Sequence, residues 1–368
     1  MYMYRINVLK TLTFLFFALT VSVNAANNPD EAIPAEKESP VKNLKTEIKE
    51  YINHHLLDSY DFSLYSYTND AGEHKYISAP LPVILIDNGL KVFSSSKFHH
   101  GETVAEVDGQ FYALYHNKIY KTDALGTINY NEENHATNEK PLDFSITKNV
   151  VFIILVGLFM LLLFSRMANS YKNNPMPKGI GRIFEPLILF IRNDIAIPNI
   201  GEKHYRKYMS YLLTVFFFIW IINLLGLTPL GVNVTNNIAV TLALALVTYF
   251  ITTFSGNKNY WKHIFWMPGV PWPMKIILAP IELLGTIIKP FSLMIRLYAN
   301  ITAGHIVLMS IIGLMFIFKN WIGSPLSFGL AIALSLLELL VAALQAYIFT
   351  MLSALYFGSA VEEHADHH

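Results

Sequence analysis

KPFSLMIRLYANITAGHIVLMSIIGLMF, residues Lys289 to Phe316, places one arginine, Arg296, a few positions inside an apolar run long enough to cross a bilayer. A guanidinium at mid-bilayer costs from about 3 kcal/mol on insertion scales to about 10 or more in simulations, so it requires a partner or a wet cavity. Arginine does not release its proton in proteins. Whatever Arg296 does, it therefore does as a fixed positive charge. At 100° per residue Asn300 lies about 40° from it, and Ser292, Ala299 and Ala303 lie within about 60°. Small residues in a membrane helix signal close helix packing, which accounts for the alanines but not for a permanent charge.

The composition sets the class. Of 368 residues 53% are hydrophobic and only 15% charged, and 27 basic residues balance 27 acidic ones. That describes an integral membrane protein with no basic excess for nucleic acid. There is no cysteine, which excludes a disulfide framework, thiolate metal sites and cysteine nucleophiles. The first 25 residues carry Arg5 and Lys10, then the apolar "LTFLFFALTV", then "VNA" ending at Ala25, and read as a signal peptide.

From Ala26 to Lys148 the chain is polar. "NLKTEIKEYINHHLLDSY" predicts a short amphipathic helix, and "PVILIDNGLKVFSSS" and "AEVDGQFYALYHNKIYKTD" predict strands joined by Asp-Gly and Asn-Gly turns. A small α+β module outside the membrane is expected. Its histidines, and those of the tail "EEHADHH", lack metal-ligand spacing and read as polar surface. Five apolar segments follow from Asn149 onward: Asn149 to Phe164, Tyr208 to Leu227, Asn237 to Phe254, Met274 to Phe318 and Leu326 to Phe357. The expected fold is thus an all-α polytopic membrane domain over 149–368. The loop between the first two spans carries Arg166, Lys172, Lys178, Arg182, Arg192, Lys203, Arg206 and Lys207, which puts that side in the cytoplasm, the module outside and the C-terminus inside. Within this loop "RIFEPLILFIRNDIAI" is too short and too charged to cross and is expected on the membrane surface. The last two segments exceed the hydrocarbon core, so they must tilt strongly or break.

Two further polar residues sit in these last segments. His305 falls about 180° round the helix from Arg296, and Glu338 and Gln345, seven apart, share one face of the final helix. Unlike arginine, both His305 and Glu338 take and lose protons near neutral pH once their surroundings shift them, as in an intramembrane proton relay. Glu282, fourteen before Arg296 and about 40° off its azimuth, suits a second crevice nearer the cytoplasm.

These residues resemble subunit a of the F-type ATP synthase. The similarity rests on "NLLGLTP" (Asn223 to Pro229), "IELLGTIIKPFSLMIRLYANITAGH", "LLELLVAALQAYIFTMLSALY" and the terminal "EEH", and covers Asp143 to His364. It implies a stator facing a rotor ring of subunit c, with Arg296 at the position of the family's essential arginine and two half-channels reaching the ring from opposite sides. It also implies subunit b of the peripheral stalk and the remaining synthase subunits as partners, a bacterial inner membrane, and no cofactor. Asn300, His305, Glu338 and Gln345 match the outer path. Here the imidazole precedes the carboxylate, the reverse of the best-known bacterial order and similar to the mitochondrial one. A His/Glu pair favours protons over sodium. No phosphate-cradling "GxxxxGK[ST]" loop occurs, so nucleotide chemistry would belong to partners. The alternatives are a secondary proton-coupled transporter, for which internal repeats would be expected and none is found, and a membrane-anchored binding protein, which leaves the buried charges unexplained.

Overall fold

A computed structural model describes residues 58–68, 74–101, 103–132, 135–173, 179, 181–228, 234–267, 269–317, 321 and 323–362. The expected signal peptide, residues 43–57 of the expected amphipathic helix, Pro229 of "NLLGLTP" and the tail from 363 onward lie outside the described residues.

The extramembrane module is built of short antiparallel strands: β1 (Asp61–Thr68), β2 (His74–Pro80), β3 (Pro82–Ile86), β4 (Leu90–Ser94), β5 (Ala105–Val107), β6 (Gln110–Tyr115), β7 (Lys118–Thr122) and β8 (Leu142–Asp143). They form a β1–β2 pair and two three-stranded sheets, β4–β3–β8 and β5–β6–β7. The Asp108-Gly109 loop takes φ 52° and 75°, the left-handed pair that a two-residue hairpin needs, and "VDGQ" signals it. His116 and Asn117 close the next hairpin with φ 47° and 53° and no glycine, a turn that residue type alone does not announce. Val83, Leu85, Phe93, Phe98, Ala105, Tyr112 and Ile119 fill the core.

Inside that core Asp87 accepts a hydrogen bond from the Tyr112 hydroxyl at 2.8 Å and pairs with Lys121 at 2.7 Å; Lys121 also reaches Glu139 at 3.0 Å. The Lys121 ammonium, and then the Tyr112 hydroxyl, hold the Asp87 carboxyl below the usual carboxylate range against the opposing effect of burial. A depressed carboxylate stabilises the fold above the unfolded pKa, near 3.9, and this contribution disappears as pH falls through the lower folded value. Asp87→Asn should therefore loosen the module by about 2 kcal/mol at neutral pH. Amide exchange of β6 and β7 checks this: the native chain's extra protection over Asp87→Asn should be present at neutral pH and shrink towards about pH 3.

The module is tied to the first span by its own leading residues. Asp58 accepts hydrogen bonds from the Asn149 amide at 3.1 Å and the Thr147 hydroxyl at 2.9 Å, and the Lys148 amide donates to the Ser59 carbonyl at 3.0 Å. These contacts satisfy orphan donors at the start of α1 (Lys148–Asn173). Phe62 of β1 packs on Phe152 of α1, with ring centroids 5.6 Å apart.

The remaining helices are α2 (Gly181–Phe190), a π-helical turn (Ile191–Ala196), α3 (Ile197–Ile200), α4 (Tyr205–Gly226), α5 (Ile238–Ser255), α6 (Lys258–Phe265), α7 (Trp272–Ile317) and α8 (Gly323–Val361). Five are long and apolar enough to cross a membrane: α1, α4, α5, α7 and α8. The segment expected on the surface is helical and has two sides: Ile183 of α2 and Arg192, Asn193 and Asp194 are exposed, whereas Ile191, Ile195 and Ala196, with Ile200 just beyond the segment, are buried against α4 and α8. Neither of the last two helices breaks. α7 carries Pro280 and Pro290 within 46 residues and α8 runs for 39, so they extend about 69 and 58 Å at 1.5 Å per residue. Both exceed a core of about 30 Å roughly twofold, which leaves strong tilt or protrusion beyond the core.

α8 packs on α7 and α4, and its buried side is largely small: Ala342, Ala346, Ser353, Ala354, Gly358 and Ala360. Gly358 is the tightest of these. A Cβ there would lie 1.9 Å from the Asn199 carbonyl oxygen at the end of α3, a clash with backbone that no rotamer relieves. Gly358→Ala should cost about 1–3 kcal/mol and lower the melting temperature of the detergent-purified chain. Asn257 secures the same end of α8: its amide reaches the Ala360 carbonyl at 2.9 Å and its side chain the Val361 carbonyl at 3.1 Å.

Candidate functional site

One face of α7 carries a polar line. Glu282, Thr286, Lys289, Leu293, Arg296 and Asn300 follow at steps of four and three, so all six lie within about 40° of Glu282's azimuth. The line rises about 27 Å, close to the thickness of a hydrocarbon core. Buried Leu293, 2% exposed, interrupts it between Lys289 and Arg296. Arg296 is half-buried, with Ile295 exposed beside it and Ala299, Asn300 and Ala303 exposed above. Among the described residues no carboxylate pairs with it.

Around the upper end of this line is a cavity of about 400 Å³ between α7, α8 and the end of α4. Asn300, His305, Glu338, Gln345 and Asn223 supply its polar walls. His305 points away from Arg296, yet it meets Glu338 across the α7–α8 pair: Nδ1 stands 3.1 Å from Oε1, and both residues are buried. The two groups are at hydrogen-bonding distance without hydrogen-bond alignment, so the contact is chiefly one of charge when the imidazole is protonated. Gly304 makes room for this meeting, because a Cβ there would lie 3.3 Å from Glu338 Oε1. Gln345 is 2% exposed, two turns along the same helical face from Glu338. The structure thus brings together four residues expected to act together.

Asn223 was quoted above only as part of a motif. Its Oδ1 accepts from Thr235 at 2.9 Å, while its Nδ2 is buried without a partner among the described residues, and the residue lines the same cavity. A lone amide near the end of the apolar span Tyr205–Gly226 was the available signal. Thr302 also donates to Asn236, fixing α7 to the chain that precedes α5.

Glu282 stands apart, in a second cavity of about 170 Å³ at the other end of the line. His263, Lys289 and Glu362 share it, with Tyr260, Thr286 and Ser359. Lys289 was missed as a site residue, although its spacing of seven before Arg296 placed it on the arginine's face. Its ammonium lies 5.5 Å from the Tyr356 ring centroid, and the Tyr356 phenol is within electrostatic reach of Arg296. Arg296 lines neither cavity and lies between them along the helix.

The family model of the ATP synthase A chain matches residues 150–358, more than half of the chain. This chain belongs to the ATP synthase subunit a family. It is 38% identical over 330 residues to ATP synthase subunit a of Chloroherpeton thalassium, a match covering 82% of this chain and 97% of that one. Over 235 residues it is 49% identical to ATP synthase subunit a 2 of Chlorobaculum tepidum, covering 61% and 66% respectively. With subunit a of Myxococcus xanthus it shares 43% over 236 residues, covering 61% and 77%. The Chloroherpeton match takes in more of the chain than its membrane part alone supplies, so at least one subunit a relative shares some of the N-terminal region. Residues 51–144 match a separate family model, a domain of unknown function (DUF8433). As a member of the subunit a family with five long apolar helices, the chain is a multi-pass protein of the synthase membrane sector.

Proposed function

We propose that the chain is the proton-conducting stator of an F-type ATP synthase, with the 400 Å³ cavity as its outer half-channel and the Glu282 cavity as its inner one. The observation that carries this reading is the separation of the two cavities at opposite ends of one helical face, with a fixed charge between them. A ring carboxyl arriving beside Arg296 loses its proton, because a neighbouring cation lowers a carboxylate's pKa by about one to three units. The same charge repels a proton passing directly between the cavities. His305 and Glu338 deliver protons to the ring from outside, Asn300 and Gln345 orient the path, and Glu282 receives them on the cytoplasmic side. Each proton crossing about 100 mV supplies about 2.3 kcal/mol. The module lies in the periplasm and the C-terminus in the cytoplasm.

The partners are the ring of subunit c, subunit b and the remaining synthase subunits, set in lipid. Nucleotide hydrolysis belongs to those subunits, and this reading calls for no nucleic acid and no cofactor. Mild-detergent purification of the tagged chain tests the assembly: a ring and nucleotide-hydrolysing subunits should accompany it, and the reconstituted complex should acidify vesicles on ATP addition without sodium. Recovery of the chain alone, or pumping that requires sodium, counts against the proposal.

A further inference from the structure

The inner cavity contains a histidine that the stator reading leaves unused. His263 stands in the last turn of α6, which packs against α7, and its Nδ1 is 4.0 Å from Glu282 Oε1. Its side chain is 45% exposed and that of Glu282 38%, so the imidazole is the more open of the two. A rotamer change or one water closes a gap of that length, and a polar cavity of about 170 Å³ holds several waters.

Among the described residues, the other ionisable groups facing this space from α6, α7 and the end of α8 are less suited to exchange. Lys289 brings an amine, and burial raises the Tyr260 phenol above its ordinary range. Glu362, beyond the end of α8, is a second carboxylate. An imidazole alone among them changes charge readily between pH 5 and 8.

We infer that His263 is the proton-exchanging residue at the cytoplasmic mouth, passing protons between Glu282 and bulk water. In the synthesis direction the Glu282 carboxyl transfers its proton to one ring nitrogen of His263, regenerating the carboxylate. The imidazolium then gives a proton to water, and both groups return to their starting states. The inference rests on the proposed role of Glu282 and goes beyond it by naming the group that couples that carboxylate to solvent.

The test uses the whole complex in vesicles with its cytoplasmic face outward, and compares native, His263→Ala, His263→Gln and Arg296→Ala forms. ATP-driven pumping should fall on the order of tenfold in both His263 variants. Imidazole added outside should restore much of it, and the slowed variants should lose the native dependence on external pH near neutrality. Undiminished pumping in His263→Ala overturns the inference, as does a loss that imidazole leaves untouched, which marks a packing role. If His263→Ala fails to assemble, His263→Gln decides by the same criteria. Arg296→Ala separates the two levels: with it inactive and His263→Ala fully active, only the inference falls, whereas normal pumping in Arg296→Ala removes the stator reading itself.

Discussion

Arg296→Ala should abolish proton-driven ATP synthesis while the complex still assembles. The half-buried guanidinium has no carboxylate partner among the described residues, so its removal leaves no orphaned counter-charge and little packing to repair. On the proposed mechanism, what disappears is the field that would make a ring carboxyl ionise: a change of one to three pKa units is about 1.4–4 kcal/mol per transfer, or ten- to a thousandfold. The barrier to leakage goes with it, so passive proton conductance should rise. Arg296→Lys should fail nearly as completely, because an ammonium loses the planar fork and becomes neutral when desolvated. Synthesis by inverted vesicles, with assembly checked on native gels, measures this. Wild-type rates in Arg296→Ala would remove the mechanism.

The second large effect concerns the pair facing the outer cavity. His305→Glu alone places two carboxyl groups where Nδ1 and Oε1 now stand 3.1 Å apart, and their repulsion raises the pKa of one and slows transfer. Glu338→His alone removes the only carboxylate among the described residues of that cavity wall. Each single variant should pump at least tenfold more slowly than the native complex, the size of one lost acid or base. The double exchange, His305→Glu with Glu338→His, restores one acid and one base across the same α7–α8 contact and should recover part of the rate. Gly304 gives the exchange its room, since the carboxylate already lies against its backbone. Proton pumping in vesicles for both singles and the double decides it. A double no faster than the slower single would mean that the two residues act independently, and that Glu338 with Gln345 carries the path.

The two predictions draw on different kinds of information. Arg296 could be singled out from sequence as a candidate because a permanent charge inside an apolar helix is costly, and that argument needs no neighbours. The same holds for the five spans, since length and apolarity are properties of each segment by itself and the structure has helices at all five. Strands β3 to β7 were legible from alternation and turn residues, whereas β1 and β8 were not among the expected strands, and neither was the His116-Asn117 turn, whose left-handed residues are held by strand pairing.

Helical periodicity set Arg296 and His305 on opposite faces, and by itself it gave no reason for His305 to meet anything. The meeting with Glu338 exists because α8, smooth with Ala342 and Ala346, lies close along α7 at Gly304. The same dependence hid Asn223, on α4, and His263, on α6: each joins a cavity only once helices far apart in the chain have packed around it. It also hid what the expected surface segment packs against. Ile191 and Ile195, with Ile200 just beyond the segment, have the composition of an interfacial stripe, and the groove offered by α4 and α8, with Gly358 bringing the backbones into contact, buries them. Sequence determined which segments are apolar and where a fixed charge interrupts them, because those are local properties of the chain. Which polar groups share a cavity was decided by tertiary packing, because close approach depends on the shapes of two surfaces at once.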